Sequence, residues 1–360
     1  MTIYKNVSIK KYNTFQIDVK AKEFVEVTTI EELYEILEHI NKTKEKVFVL
    51  GGGSNVLFLK DFDGIVIRVE IKGIEKERED TDYLYYRIGS GENWHELVMR
   101  TVQENLGGIE NMALIPGTVG GAVAQNIAAY GENISEVFES LHAYEVSTKE
   151  MKFFNFEDCQ FEYRNSIFKR EYKNKYIITD VTLKFKKKPD KIETSYHERK
   201  SRYGSLEDEL KSFAKEPYTV RDAALAVINI RNRKLPSIED YGTAGSFFEN
   251  PIVSAKKFKE LEKIVPELQH YPVEKLVYTK EDWSDVKGEE YVKIPAARLL
   301  EELGWKGKWE GNVGTYKNHA LCVVTNWKAN GQEVLDFTNK MKQSVLDAYG
   351  VELRSEVNIV

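Results

Sequence analysis

Apolar residues recur at helical spacing at Leu33, Ile36, Leu37 and Ile40, and Thr29-Ile30-Glu31-Glu32 ahead of them fits a capping box. The pattern predicts an amphipathic helix, and the wholly apolar run at 47–50 then predicts a strand. Three glycines follow, Gly51, Gly52 and Gly53, with Ser54 and Asn55 before apolar positions resume. Strand-like runs are read at 56–59, 64–69 and 83–88, and a helical stretch at 94–105. More β signal lies at 141–146 and 176–185, closed by the charged KKKPDK at 186–191. From Val220 the period returns to helical spacing through Ala223, Ala224, Val227 and Ile228, and further helices are predicted at 296–303 and 333–349, the last stopped by Gly350. The final ten residues alternate Val351, Leu353, Ser355, Val357 and Ile359 against Glu352, Arg354, Glu356 and Asn358, which predicts a strand with one charged face. Strands and helices do not alternate regularly as βαβ units, so the expected class is α+β.

The chain has 360 residues, enough for two or three domains. A formal net charge of -6 supplies no overall basic field, so nucleic acid and anionic lipid are not expected partners, and an anionic ligand has to be met locally. No run approaches the roughly 20 apolar residues of a membrane helix, and MTIYKNVSIKKYNTF lacks the apolar core of a signal peptide, so a cytoplasmic protein is expected. Cys159 and Cys322 are far apart in partly apolar contexts and are read as core thiols. The six histidines are scattered without ligand spacing, so no metal site is expected.

Successive glycines let backbone N–H groups converge on an anion without a Cβ in the way. VFVLGGGSNVLF is neither a Rossmann turn, which wants a glycine where Val56 stands and a helix afterwards, nor a P-loop, which wants Gly-Lys-Ser/Thr. Alone it reads equally as a tight turn between packed strands. A second segment, NMALIPGTVGGAVAQNIAAYGENI at 111–134, clusters Pro116, Gly117, Thr118, Gly120 and Gly121 and leads to Asn126, Tyr130 and Gly131. Two such loops exceed what one turn requires and suit a dinucleotide.

LGGGSNVLF together with LIPGTVGGAVAQNIAAYG resembles the two flavin-contacting loops of vanillyl-alcohol-oxidase-type FAD domains. The order NTFQID, the two glycine loops, YRNSIFK at 163–169, GTAGSFFENP at 242–251, IPAARLLEELGWKG at 294–307 and ELRSEV at 352–357 resembles the UDP-N-acetylenolpyruvoylglucosamine reductase family over nearly the full chain, in the branch with a tyrosine-bearing substrate loop. Relatives usually have NIGAYG where this chain has NIAAYG, so Ala128 adds a methyl. The resemblance implies a non-Rossmann FAD-binding region of two α+β subdomains, 1–70 and 71–218, with a polar excursion near 190–217, followed by a smaller α+β substrate domain at 219–360. It implies NADPH-dependent reduction of UDP-N-acetylglucosamine enolpyruvate to UDP-N-acetylmuramate in peptidoglycan precursor synthesis, by a monomer. An FAD-dependent oxidase on another substrate and a non-catalytic nucleotide-sugar binding protein are the competing readings.

The same resemblance assigns Arg164 to the substrate carboxylate, Ser246 to proton donation and Glu356 to stabilising the enolic intermediate. An arginine grips a carboxylate bidentately, and a serine held against a carbanion gives up its proton despite being a weak acid. Taken without their motifs, the three read as a surface charge, a small turn residue and an exposed strand carboxylate. Cofactor contacts are expected from Gly51, Gly52, Gly53, Ser54, Asn55, Pro116, Gly117, Thr118, Gly120, Gly121, Asn126, Tyr130 and Gly131. Lys234, Asn250 and Lys293 match substrate-contacting positions, and so does Tyr196, with Tyr203 a competing choice. Phe247 and Phe248 are read as core.

Overall fold

Helix Ile30–Thr43 buries the four predicted residues Leu33, Ile36, Leu37 and Ile40. Thr29 Oγ1 accepts from Glu32 N at 3.2 Å, as expected of the cap. The Glu32 carboxylate, however, takes the N–H and hydroxyl of Thr28 and not the Thr29 N–H, so the box closes one residue earlier than predicted. The computed structural model describes residues 1–189, 192–194, 205–273 and 290–360; Tyr196 and Tyr203 lie outside them. The chain forms two units, each discontinuous in sequence: Met1–Val7, Ala21–Gly52 and Phe62–Arg233 in the first, Ser8–Lys20, Gly53–Asp61 and Lys234–Val360 in the second.

In the first unit, strand Phe62–Val69 pairs in parallel with both Lys20–Val27 and Val47–Leu50. Its Ile65, Ile67 and Val69 share one core with Val25, Val27 and the apolar stripe of helix Ile30–Thr43. A five-stranded antiparallel sheet runs in the order Met151–Phe154, Phe138–Glu145, Tyr176–Lys186, Tyr83–Gly89, Ile74–Glu79. Ile88, Val181, Leu183 and Phe185 from that sheet pack with Leu97 and Val98 of helix Trp94–Gln103 and with Ala224, Val227 and Ile230 of helix Val220–Lys234. Cys159 is buried among them, which pushes its thiol pKa up and leaves it a core group.

The second unit holds a four-stranded sheet ordered Gly242–Ser246, His319–Thr325, Val313–Tyr316, Trp309–Glu310, against which helices Ala296–Glu302 and Gly331–Tyr349 pack. The latter starts in a capping box made by Asn330 and Glu333 and stops at Gly350 with φ 61°, a backbone state that suits glycine. Phe247 and Phe248 are core residues, each 1% exposed. Cys322 is buried in the sheet, in keeping with its reading. The terminal segment differs from expectation. Only Asn358–Ile359 forms a strand, in parallel with Val56–Leu57, and a single bridge joins Ser355 to Phe248. Val351, Leu353 and Val357 are buried as the alternation requires, but Ile359 is exposed and Glu356 half-buried. The alternation records which side chains enter the core, and most of the segment does so without a ladder.

Candidate active site

The strand Val47–Leu50 ends in the first glycine turn, and the residues of unit one show why glycine is needed there. A Cβ on Gly52 would stand 2.6 Å from Gly117 Cα, and one on Gly51 2.7 Å from Thr118 Oγ1. The two glycine-rich segments therefore meet backbone to backbone. Gly120 lies against Ser90, whose Cβ is 2.8 Å from the position a side chain would take. Among the described residues, the N–H groups of Gly52, Gly117 and Thr118 find no protein acceptor, and the buried Ser90 Oγ and Asn126 Oδ1 find no partner. Unused donors on touching glycine backbones suit an anion such as a pyrophosphate, and buried polar atoms without partners suit a polar ligand. No helix follows the first turn, so the cradle is not of the Rossmann kind.

The second segment continues as the short helix Val119–Gln125, capped by the Thr118 hydroxyl at one end and by Asn126 with φ 47° at the other. Ala128–Ala129 then pairs with Glu132–Asn133 across Tyr130 and Gly131, whose φ values of 48° and 90° form a tight hairpin turn. Arg164 stands at the tip of a second tight turn, closed by reciprocal backbone bonds between Glu162 and Asn165 at 2.9 and 3.0 Å. Its φ of 55° costs a non-glycine residue roughly 1 kcal/mol or more. Three bonds hold this turn to the second glycine segment. Asn126 Nδ2 donates to Glu162 O at 2.7 Å, Ser166 Oγ to Ala124 O at 2.8 Å, and Arg164 Nη2 to Ala128 O at 2.9 Å. Ala128 therefore orients Arg164 through its carbonyl, a role its side chain does not affect.

In unit two, the strand Gly242–Ser246 carries a bulge between Thr243 and Ser246, where Gly245 has φ 72°. The bulge sets Ser246 opposite Cys322 and sends the chain onward between two partners. Phe247 N donates to Leu321 O at 2.9 Å, and Phe247 O accepts from Glu356 N at 2.9 Å. Ser246 and Glu356 are thereby on adjoining antiparallel segments, both half-buried. Farther along the same segment, Ile252 pairs with Lys293, and Asn250 Oδ1 accepts from Ala296 N at 3.0 Å. Asn250 therefore caps a helix, which sequence reading missed. Gly53, also of this unit, has φ 66°, and a Cβ there would overlap the Tyr12 carbonyl. Asn55 follows it, its Nδ2 donating to Glu356 O at 3.1 Å. Lys234 is the last residue of helix Val220–Lys234 and half-buried.

Two family models match the chain: an FAD binding domain over residues 21–153, and the C-terminal domain of UDP-N-acetylenolpyruvoylglucosamine reductase over 237–360. The chain is 43% identical, over all of both chains, to the UDP-N-acetylenolpyruvoylglucosamine reductase of Flavobacterium johnsoniae. The chain belongs to the UDP-N-acetylenolpyruvoylglucosamine reductase family. Identity to the enzyme of the same name from Amoebophilus asiaticus is 39%, again over all of both chains, and to that of Paraburkholderia phytofirmans 36%, over 97% of this chain and 95% of the relative. A solved reductase of this family from Thermus caldophilus has the same fold, with a TM-score of 0.66 and 22% identity over 100% of this chain and 99% of its own. The family's FAD matches the touching glycine turns and their unused N–H groups. No described helix is long and apolar enough to cross a membrane.

Proposed function

We propose that this reductase works through Arg164, Ser246 and Glu356, with FAD held by the two glycine turns, on UDP-N-acetylglucosamine enolpyruvate. The overall reaction is reduction of that enol ether to UDP-N-acetylmuramate with NADPH, in peptidoglycan precursor synthesis. Bound FAD supplies hydride transfer from NADPH to the substrate. The protein has to orient the substrate, hold the charge that develops beside its carboxylate, and deliver a proton. The Arg164 guanidinium binds the carboxylate, its orientation supported by the bond to Ala128 O. Ser246 gives its hydroxyl proton to the carbon that carries the carboxylate, and Glu356 stabilises the enolic form. The observation that carries this reading is the Glu356 N to Phe247 O bond, which puts Ser246 and Glu356 on neighbouring segments.

Lys234, Asn250 and Lys293 are assigned to the UDP-sugar; the pairing of Ile252 with Lys293 supports a joint role for the last two. The pyrophosphate and ring contacts of FAD are assigned to Gly51, Gly52, Gly53, Ser54, Asn55, Pro116, Gly117, Thr118, Gly120, Gly121, Asn126, Tyr130 and Gly131. Residues 1–70 and 71–218 are assigned the flavin-binding role and 219–360 the substrate role of a cytoplasmic monomer, although helix Val220–Lys234 packs into the first unit and 8–20 and 53–61 belong to the second.

The test follows flavin absorbance anaerobically, adding NADPH and then the enolpyruvyl UDP-sugar. Wild-type protein bleaches and recovers. Ser246→Ala and Glu356→Gln bleach normally but recover at least about 100-fold more slowly, the scale of a lost general acid. Equal loss in both half-reactions removes these roles, and recovery only with oxygen favours an oxidase.

A further inference from the structure

Glu110 and Glu132 are carboxylates buried in unit one, 3% and 6% exposed, and the roles assigned above use neither. Their carboxyls meet the same turn, that of Glu132 bonded to Asn111 N directly beside Glu110, and each acid weighs on the titration of the other. Glu110 Oε2 accepts two backbone N–H groups, from Gly108 at 2.6 Å and Ile109 at 3.0 Å, whereas Glu132 Oε2 accepts one, from Asn111 at 2.7 Å. Donors favour the ionised form, so Glu110 is the better carboxylate and Glu132 the holder of the proton. Burial and the facing acid together raise the Glu132 pKa well above its ordinary value.

The pair sits at the root of the hairpin that orients Arg164. Glu132 pairs with Ala129, and Ala128 in the same short strand carries the carbonyl that accepts from Arg164. Asn111, fixed through its N–H by Glu132, donates its side-chain amide to Tyr130 O at 2.9 Å and Glu193 O at 2.8 Å. The acid pair and this amide therefore tie both arms and the tip of the hairpin to the turn Glu110–Met112. The charged groups that weigh most on Glu132 are the acids Glu110 and Glu136, the latter from helix Ile134–Val137. Glu193 and Tyr130 stand across the Asn111 amide, and Arg164 is bonded to Ala128 O. With both carboxyls ionised, like charges would meet in a dry interior, and among the described residues neither carboxyl has a salt-bridge partner.

We propose that Glu132 and Glu110 are positioning residues that share one proton and so hold the Tyr130–Gly131 hairpin, and with it Arg164, in working order. The inference rests on the substrate role given to Arg164. Gln at 132 reproduces the neutral acid, since its carbonyl accepts from Asn111 N, but it cannot ionise.

The experiment uses the FAD-loaded full chain. Infrared spectra of the wild type between pH 6 and 9, a range chosen to span neutrality, show a protonated-carboxyl band that persists at neutral pH and is absent from Glu132→Gln. Substrate-driven flavin recovery in the wild type falls on the alkaline side. Glu132→Ala lowers it about 10- to 100-fold at neutral pH, the scale of a misplaced binding group. Glu132→Gln restores it and removes the alkaline fall. A wild type with no such band at neutral pH, or a Gln variant that keeps either the band or the alkaline fall, overturns the proposal. The band does not depend on Arg164. An Arg164→Lys protein with unimpaired recovery would remove the arginine's role and leave the proton pair to be judged by the spectrum.

Discussion

Asn55 Nδ2 donates to the backbone carbonyl of Glu356 at 3.1 Å, across 301 positions of sequence. Asn358 N donates in return to Asn55 O at 3.1 Å, and the strands Val56–Leu57 and Asn358–Ile359 continue the contact in parallel. The residue that closes the first glycine turn thus holds the backbone of the carboxylate proposed for the substrate step. Asn55→Ala should cost about 1 kcal/mol, the net worth of one hydrogen bond. Because Glu356 loses its support, recovery of flavin absorbance with substrate should slow more than bleaching with NADPH. Stopped-flow absorbance compares the two, and equal slowing would mean that Asn55 serves the flavin alone.

The contact between the glycine turns sets a second expectation. Gly52→Ala places a methyl 2.6 Å from the backbone of Gly117, where neither partner can rotate away. Gly121→Ala meets only Thr118 Oγ1 at 3.4 Å, an adjustable side chain. The first variant should purify with little or no flavin, and the second should lose much less of it. The ratio of flavin absorbance to protein measures this. Full flavin content in Gly52→Ala would show that the turns separate freely and do not form the cradle.

Asn250 caps a helix, and substitutions can separate that duty from the substrate contact proposed for it. Its Oδ1 satisfies the first N–H of helix Ala296–Glu302, whose own cap position, Pro295, offers no side-chain acceptor. Asn250→Ala should lose about 1 kcal/mol of stability, as helix caps do. Asn250→Asp keeps the acceptor and most of that stability, but sets a negative charge where a diphosphate substrate is proposed. KM for the UDP-sugar should then rise by roughly tenfold, about 1.4 kcal/mol, with melting unchanged. A stable Asp variant with normal KM would confine Asn250 to capping.

What the sequence made legible follows the range of the interactions. The helix Ile30–Thr43 and its Thr29 cap depend on neighbours within four residues, and the strand before the first glycine turn shows as a wholly apolar run, so all three were readable. Gly52 was visible as a glycine, but its reason, Gly117, stands 65 positions away. The Asn250 cap spans 46 positions, and the acid pair 22. Charged residues inside the apolar stretches GIENMALIP and AAYGENI were the available signal for that pair. The tail misled because burial alternates there without a partner strand, as the half-buried Glu356 and exposed Ile359 show. Tyr196 lies outside the described residues.

Glu132 also sets a pH dependence of stability. Its folded pKa is raised well above the ordinary 4.5, so between that value and the folded one the native state keeps a proton that the unfolded chain has released. Stability from this group is complete below about pH 4.5 and is lost as pH rises toward the folded pKa, by at most about 1.4 kcal/mol per pH unit. Glu132→Gln has no proton to lose, so the variant should gain on the wild type steadily as pH is raised from 5 to 8, a window chosen from the ordinary carboxyl value upward. Urea midpoints of both proteins across that range give the difference, in which the titration of all other shared groups cancels. Parallel curves would mean that Glu132 ionises at its ordinary pH in the folded protein and that no proton is retained.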